Sequence, residues 1–251
     1  MIKEKRIKKI QEYVLEHQSA SLDELVKVFD VSKNTIRRDV QELVDRGELK
    51  KVYGGVSSIH KKLESFQERS VRNQEQKELI AKKAASYVED GDFIFIDSGT
   101  TTIEMFEYLK EKHLTIFTNN IDLIVSAIPH EKLNVISIGG MLERKTSSFV
   151  NPQNMDLLKD YNIRKAFMAS TGISLSNGVT NASPLESELK KTIVSRSSEV
   201  YLLVDHDKFD KYGLMTYCSL DDIDYLVTDK VPNDTYQEYA KNHDIQLVIA
   251  D

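Results

Sequence analysis

Cysteine is nearly absent from the 251-residue chain, with Cys218 the single example. That excludes an internal disulfide and any CxxC zinc or redox motif, and implies one reduced, packed thiol. Tryptophan is missing, proline occurs four times and glycine ten, which excludes collagen-like and low-complexity classes. No apolar run approaches the ~18 residues needed to cross a bilayer. The opening MIKEKRIKKI lacks the apolar stretch of a secretory signal. A cytoplasmic protein with no membrane partner is expected. The six histidines, His17, His60, His113, His130, His206 and His243, form no short ligand pair, so no metal and no cofactor are expected. Hydrophobic residues make up 40% and the net charge is −6. That is too apolar for a disordered chain, and enough for one large domain or a small one plus a medium one.

The charge is unevenly spread. Residues 1–62 hold 14 Lys+Arg against 10 Asp+Glu, and residues 63–251 hold 20 against 30. A basic head on an acidic body points to a polyanion met by the head alone. Ile7, Ile10, Val14 and Leu15 recur at helical spacing, so 3–17 reads as an amphipathic helix. Ser21 and Glu24 form a capping box ahead of a short helix over 21–29. Asp30-Val31-Ser32 is a tight turn with Ser32 as the next N-cap, and a third helix over 33–46 stops at Gly47.

On a wheel of that third helix, Ile36, Val40, Leu43 and Val44 share one side. Asn34, Arg37, Arg38 and Gln41 face away from it; such side chains bond base edges and phosphates. Helix, tight turn and outward polar helix make a helix-turn-helix. After it, Leu49–Val52, a turn at Tyr53-Gly54-Gly55 and Val56–Ile59 read as a β-hairpin, a wing that puts Lys50 and Lys51 near phosphates. Ser32, Lys33, Asn34, Thr35, Arg37, Arg38, Gln41, Lys50 and Lys51 are the candidate DNA-binding residues.

This stretch, SLDELVKVFDVSKNTIRRDVQELVDRGELKKVYGGV, resembles the N-terminal winged helix of DeoR-family bacterial transcription regulators. The run Ser32, Thr35, Ile36, Arg37, Arg38 and Asp39 is specific to that family, and Gly54-Gly55 fits it. Many members carry His at the place of Tyr53.

Residues 60–75 are polar and read as a linker, which divides the chain into a winged helix-turn-helix over 1–59 and an α/β domain over 76–251. In the second domain, apolar runs at 93–97, 114–118, 134–140, 165–170, 199–205, 225–229 and 246–250 read as strands. Helices are expected at 76–88, 102–110, 120–128, 184–196 and 233–242. Strands rich in Val, Ile, Leu and Phe between helices imply a parallel sheet covered on both faces. Ligands of open sheets lie beyond the carboxyl ends of the strands. There the sequence places Asp97, Ser98, Gly99, Thr100, Thr101 and Thr102, with hydroxyls and helix amides suited to a phosphate. Thr118 and Asn119, Gly139 and Gly140, Gly172, and Asp205 with Lys208 follow the later strands.

IFIDSGTTT, TN, GG, SFV, KAF and VDHDKF also resemble the DeoR family's C-terminal sensor domain, in order and spacing. That resemblance implies a fold like ribose-5-phosphate isomerase, a phosphate held by the 97–102 loop, a sugar contact at Lys208 and added charge from Arg144 and Lys145. Asn151 and Arg164 stand where members commonly have Gly and Asp. Within the family the wording is most similar to repressors of myo-inositol catabolism. The expected function is a DNA-binding repressor of a carbohydrate catabolism operon, acting as a dimer or tetramer on operator DNA and released by a phosphorylated sugar or sugar acid. The alternative is a sugar-phosphate isomerase-like enzyme with a fused DNA-binding head, in which Asp97, Asp205, Asp207 and Lys208 would act.

Overall fold

The computed structural model describes residues 3–17, 19–52, 54–58, 65–151, 158 and 160–251. Tyr53 and residues 59–64 of the expected wing and linker lie outside these. The chain divides into two compact units, residues 1–63 and 64–251.

The first unit runs α1 (Lys3–His17), β1 (Ser19–Ser21), α2 (Leu22–Phe29), α3 (Lys33–Asp45), β2 (Leu49–Val52) and β3 (Gly55–Ser58). Local chemistry sets the boundaries. Ser21 Oγ accepts from Glu24 N at 3.1 Å while Glu24 Oε2 accepts from Ser21 N at 3.3 Å, the expected capping box. Ser32 caps α3 by accepting from Thr35 N at 3.2 Å. The left-handed backbone at Gly47 (φ 69°) ends it. Ile7, Ile10, Val14, Leu25, Ile36, Val40, Leu43, Leu49 and Val56 form one core, each fully buried Leu or Ile contributing roughly 1.5–3 kcal/mol. Arg6 and Asp39 tie α1 to α3 inside it, with Nε–Oδ2 2.6 Å and Nη2–Oδ1 3.3 Å. The wing gains a strand that its sequence does not announce. β1 pairs with β3 in an antiparallel sheet ordered β1-β3-β2. Three residues between two amphipathic helices are too few to show a period of two.

The second unit opens with α4 (Phe66–Ser70), capped by Ser65 and Glu68, and α5 (Gln74–Ala85). Part of the stretch read as linker is thus folded into this unit, because Ser65-x-x-Glu68 is itself a capping box. Then come β4 (Phe93–Ile96), α6 (Phe106–Leu109), β5 (Leu114–Thr118), α7 (Ile121–Ala127) and β6 (Leu133–Ser137). After the hairpin β7 (Met141–Glu143) and β8 (Ser148–Val150) follow β9 (Ile163–Ala169), β10 (Gly172–Ser174), β11 (Gly178–Asn181), α8 (Pro184–Arg196) and β12 (Ser197–Leu203). β13 (Met215–Cys218), β14 (Tyr225–Thr228), α9 (Asp234–Asn242) and β15 (Gln246–Ile249) complete it. A seven-stranded sheet, ordered β15-β14-β12-β9-β4-β5-β6, is parallel throughout.

Alternate residues of each strand feed opposite faces, as the two-residue period requires. Ile94, Ile96, Ile116, Phe167, Tyr201 and Val227 pack with Ile80 and Ala84 of α5. Phe95, Phe117, Met168, Leu202 and Leu226 pack with Leu189 and Ile193 of α8 and Tyr236 of α9. β10, β11 and β13 form a separate antiparallel sheet that the expected βα alternation does not contain.

Candidate DNA and effector sites

In the first unit Asn34, Arg37 and Arg38 of α3 are exposed, and Ile36, Val40 and Leu43 on the other side are sealed. Among the described residues neither Arg37 nor Arg38 makes an ion pair, so both guanidinium groups point out uncommitted. Gln41 is half-buried, and its Oε1 accepts from Lys51 Nζ of β2 at 2.7 Å, which joins helix and wing in one polar surface. Lys50 is exposed. Two of the candidates have local duties: Ser32 is the N-cap, its hydroxyl 2.9 Å from that of Thr35, and Lys33 pairs with Asp23 at 2.5 Å.

The second unit treats its candidates differently. The Asp97–Thr102 loop is not an open cradle. Asp97 and Thr102 are wholly buried, and Ser98, Thr100 and Thr101 nearly so. Thr102 Oγ1 donates to Asp97 O at 2.6 Å and accepts from Gly99 N at 3.1 Å, winding the loop around itself. Gly99 lies so close to β9 that a Cβ there would collide with Ala169 Cβ. The small residues of this loop therefore serve close packing first. The helix expected over 102–110 is a 3-10 turn at Ile103–Met105 followed by the single turn of α6, so no helix N-terminus of useful length faces a phosphate.

A sealed network holds the loop. Lys190 Nζ of α8 is 2.6 Å from Asp97 Oδ2, which also accepts from Ala169 N at 2.9 Å. One turn earlier, Glu186 Oε1 accepts from Ser98 Oγ at 3.1 Å and from Ser148 Oγ of β8 at 2.7 Å, and Oε2 from Asn181 Nδ2 at 3.0 Å. Burial pushes the Glu186 carboxyl up, but the Lys190 charge and the bonds from Asn181, Ser148 and Thr146 outweigh it and hold the group below the usual carboxylate range. Asn119 Nδ2 reaches Ser98 Oγ at 3.3 Å. Thr118 Oγ1 donates to Ile96 O at 2.6 Å and stitches β5 to β4.

Positive charge collects beside the sheet's carboxyl end. Lys77 is buried on α5, which packs on the 103–105 turn. Its Nζ bonds the carbonyls of Arg69 and Ser70. Burial lowers its pKa to about 8, with Asp205 opposing and Lys208 and Arg69 adding to the fall. Burial likewise lowers Lys208, with Asp205 opposing and Arg69, Arg72 and Lys211 repelling. Lys77 and Lys208 thus both face the buried Asp205 carboxylate, with Glu104 also opposite Lys77 and Asp207 opposite Lys211 and Arg72.

Other candidates lie apart from this centre. Arg144 and Lys145 are exposed in the turn between β7 and β8. Gly139 and Gly140 take left-handed φ of 62° and 111° leading into that hairpin, and a Cβ on Gly140 would meet Val150 O at 2.5 Å. Gly172 packs against the Lys211 backbone. Lys77, Glu186 and Lys190 were not foreseen. The signal for them exists: each is a charged residue on an apolar helix face, Lys77 with Ile80, Ala81 and Ala84, and Glu186 and Lys190 with Leu189 and Ile193.

Known proteins agree with both halves. Residues 6–62 match the DeoR-like helix-turn-helix domain and residues 72–230 the DeoR C-terminal sensor domain. The chain belongs to the DeoR family. It is 45% identical to the HTH-type transcriptional regulator IolR of Bacillus subtilis over 98% of each chain. It is 34% identical to the lactose phosphotransferase system repressor of Staphylococcus epidermidis over 91% of this chain and 93% of that one. A ribose-5-phosphate isomerase bound to phospho-erythronic acid aligns at TM-score 0.41 and 19% identity, over 54% of each chain. This DeoR-family chain is accordingly a DNA-binding transcriptional regulator with a mixed α/β sensor domain, and its curated relatives are regulators too. Among the described residues no helix is long and apolar enough to cross a membrane.

Proposed function

We propose that the chain represses a carbohydrate catabolism operon of the inositol type and leaves its operator when a phosphorylated sugar or sugar acid binds the second unit. Lys77 and Lys208 carry this reading: both are drawn out of water beside Asp205 at the carboxyl end of the sheet, where a phosphate dianion would favour their charged forms. The hydroxyls of Thr100 and Thr101, not committed to winding the loop, stand beside the turn on which α5 packs. On the DNA side, α3 enters the major groove with Asn34, Arg37, Arg38 and Gln41, Lys50 and Lys51 meet phosphates, and a homodimer or tetramer sets the spacing of half-sites. A ligand that moves the population from 1:99 to 99:1 must prefer the released arrangement by ~10⁴-fold.

The test is a thermal-shift screen of sugar phosphates, followed by an operator shift assay with each hit. A ligand at ~100 times its dissociation constant adds about 2.7 kcal/mol of stability. A hit that stabilises the protein and frees the operator supports the reading. Stabilisation that leaves operator binding unchanged defeats it.

A further inference from the structure

The outward face of α3 carries an acid. At helical spacing Asp45 falls between Asn34 and Arg38, on the side turned from Ile36 and Leu43, and it is exposed. A carboxylate there repels DNA phosphates, so its place calls for a use that outweighs the repulsion. Asp45 Oδ1 accepts from Gln41 Nε2, one helical turn earlier, at 2.6 Å. On its other side Gln41 Oε1 accepts from Lys51 Nζ of β2 at 2.7 Å.

The two ends of a glutamine amide are alike in shape and opposite in polarity, so an unsupported one presents either end to a base. Gln41 has no such freedom. A carboxylate only accepts and an ammonium only donates. Turned over, the amide would set its oxygen against Asp45 and its hydrogens against Lys51. Held as it is, it keeps one hydrogen on Nε2 and one lone pair on Oε1, a donor beside an acceptor. In the major groove adenine shows the matching pair, the N7 acceptor and the N6 amino donor, whereas guanine shows two acceptors. Lys51 keeps two further hydrogens for a phosphate. Because the amide is aimed before DNA arrives, binding does not have to order it.

We propose that Asp45 is a positioning residue for operator recognition: with Lys51 it fixes the Gln41 amide in the direction that reads an adenine in the major groove. This rests on α3 being the groove helix, as above, and adds which base Gln41 selects and which side chain sets the choice.

Selection from random duplexes by the full chain, followed by substitution of each position of the selected site, gives the wild-type base preferences. The same titrations at fixed salt are run on Gln41→Ala, Asp45→Ala and Arg37→Ala. One adenine is expected whose change to guanine costs the wild type about tenfold or more in affinity. Q41A is expected to lose that preference and keep the others. D45A is expected to shrink it to less than about threefold, while its melting temperature stays and its affinity for random DNA holds or rises, since a charge that repels phosphates is gone. The proposal is overturned if the Gln41-dependent base is not adenine, or if D45A leaves that preference unchanged. It is equally overturned if D45A weakens all positions evenly, which marks a role in folding, or changes a cytosine preference instead, which marks Asp45 as a reader in its own right. In each of these cases a weakened R37A keeps α3 as the groove helix. If R37A and Q41A both bind every duplex as the wild type does, the groove reading falls and the positioning role with it.

Discussion

The head buries the Arg6–Asp39 ion pair, which braces α3 from behind, and turns Asn34, Arg37 and Arg38 outward, with no ion pair to either of those arginines among the described residues. The body does the reverse. Asp97, Glu186 and Lys190 are sealed, Asp97 paired with Lys190 and Glu186 bonded to Ser98, Ser148 and Asn181, and the cations Lys77 and Lys208 are depressed by burial. The contrast follows from the partners. DNA is a large surface that brings its own charge, so a reader of it needs exposed donors on a rigid helix. A small ligand must be enclosed, so its site competes with the core for space and its polar groups must satisfy one another while the site is closed.

The largest expected effect breaks that contrast in the body. Lys190→Ala leaves Asp97 buried without its cation, which costs ~3–5 kcal/mol, read by urea unfolding. The double change Asp97→Asn with Lys190→Met is expected to recover most of the loss, because removing both charges spares their desolvation. If K190A unfolds no more easily than wild type, the buried network does not hold the loop.

The second effect belongs to the head. Arg37→Ala should weaken operator binding by ~1–3 kcal/mol for each half-site, measured by titration at fixed salt. Its melting curve should stay within ~0.5 kcal/mol of wild type, because the side chain is exposed. A large loss of stability would place Arg37 with the packed residues and erase the distinction between the units.

A third effect sharpens the contrast through pH. Burial pushes the Lys77 ammonium down to about 8 in the folded chain, against an ordinary value of 10.5. Between those values the unfolded chain binds more protons than the folded one, so this residue makes stability rise with pH across that window. A phosphate needs the charged lysine, so effector affinity should fall as pH climbs past about 8. Lys77→Arg, charged throughout, should flatten the fall in a titration between pH 7 and 9. An affinity independent of pH in the wild type would remove Lys77 from the site.

The same contrast explains what could be read in advance. In the head the functional face is the polar remainder of an amphipathic pattern, so locating Ile36, Val40 and Leu43 also located Arg37 and Arg38. The capping box at Ser21 and the N-cap at Ser32 are local, and fixed the helix starts within a residue. The parallel strands were legible because burial on both faces makes continuous apolar runs such as Phe93–Ile96 and Leu114–Thr118. The body's polar centre was only half visible. The strand end marked Asp97 and Ser98, but Lys190 and Glu186 reach them from a helix some ninety positions away in the chain, a closure that no local spacing encodes. The β7–β8 hairpin, with strands of three residues and exposed Met141 and Leu142, gives no alternating signal.

The smallest effect lies on the wing. Lys51 is exposed, and its bond to Gln41 is a surface contact, so Lys51→Ala should change stability by no more than ~0.5 kcal/mol. If the lysine meets a phosphate, its loss should reduce the slope of log affinity against log salt by ~1 and weaken all DNA sequences alike. If its part is to orient Gln41 toward a base, the slope should hold while discrimination between operator and mismatched sites relaxes. Titrations at three salt concentrations, on operator and on random DNA, separate the two. Either outcome keeps the head's rule that its readers are exposed, and a loss of folding instead would show that the wing, like the body, needs its polar contacts to stand.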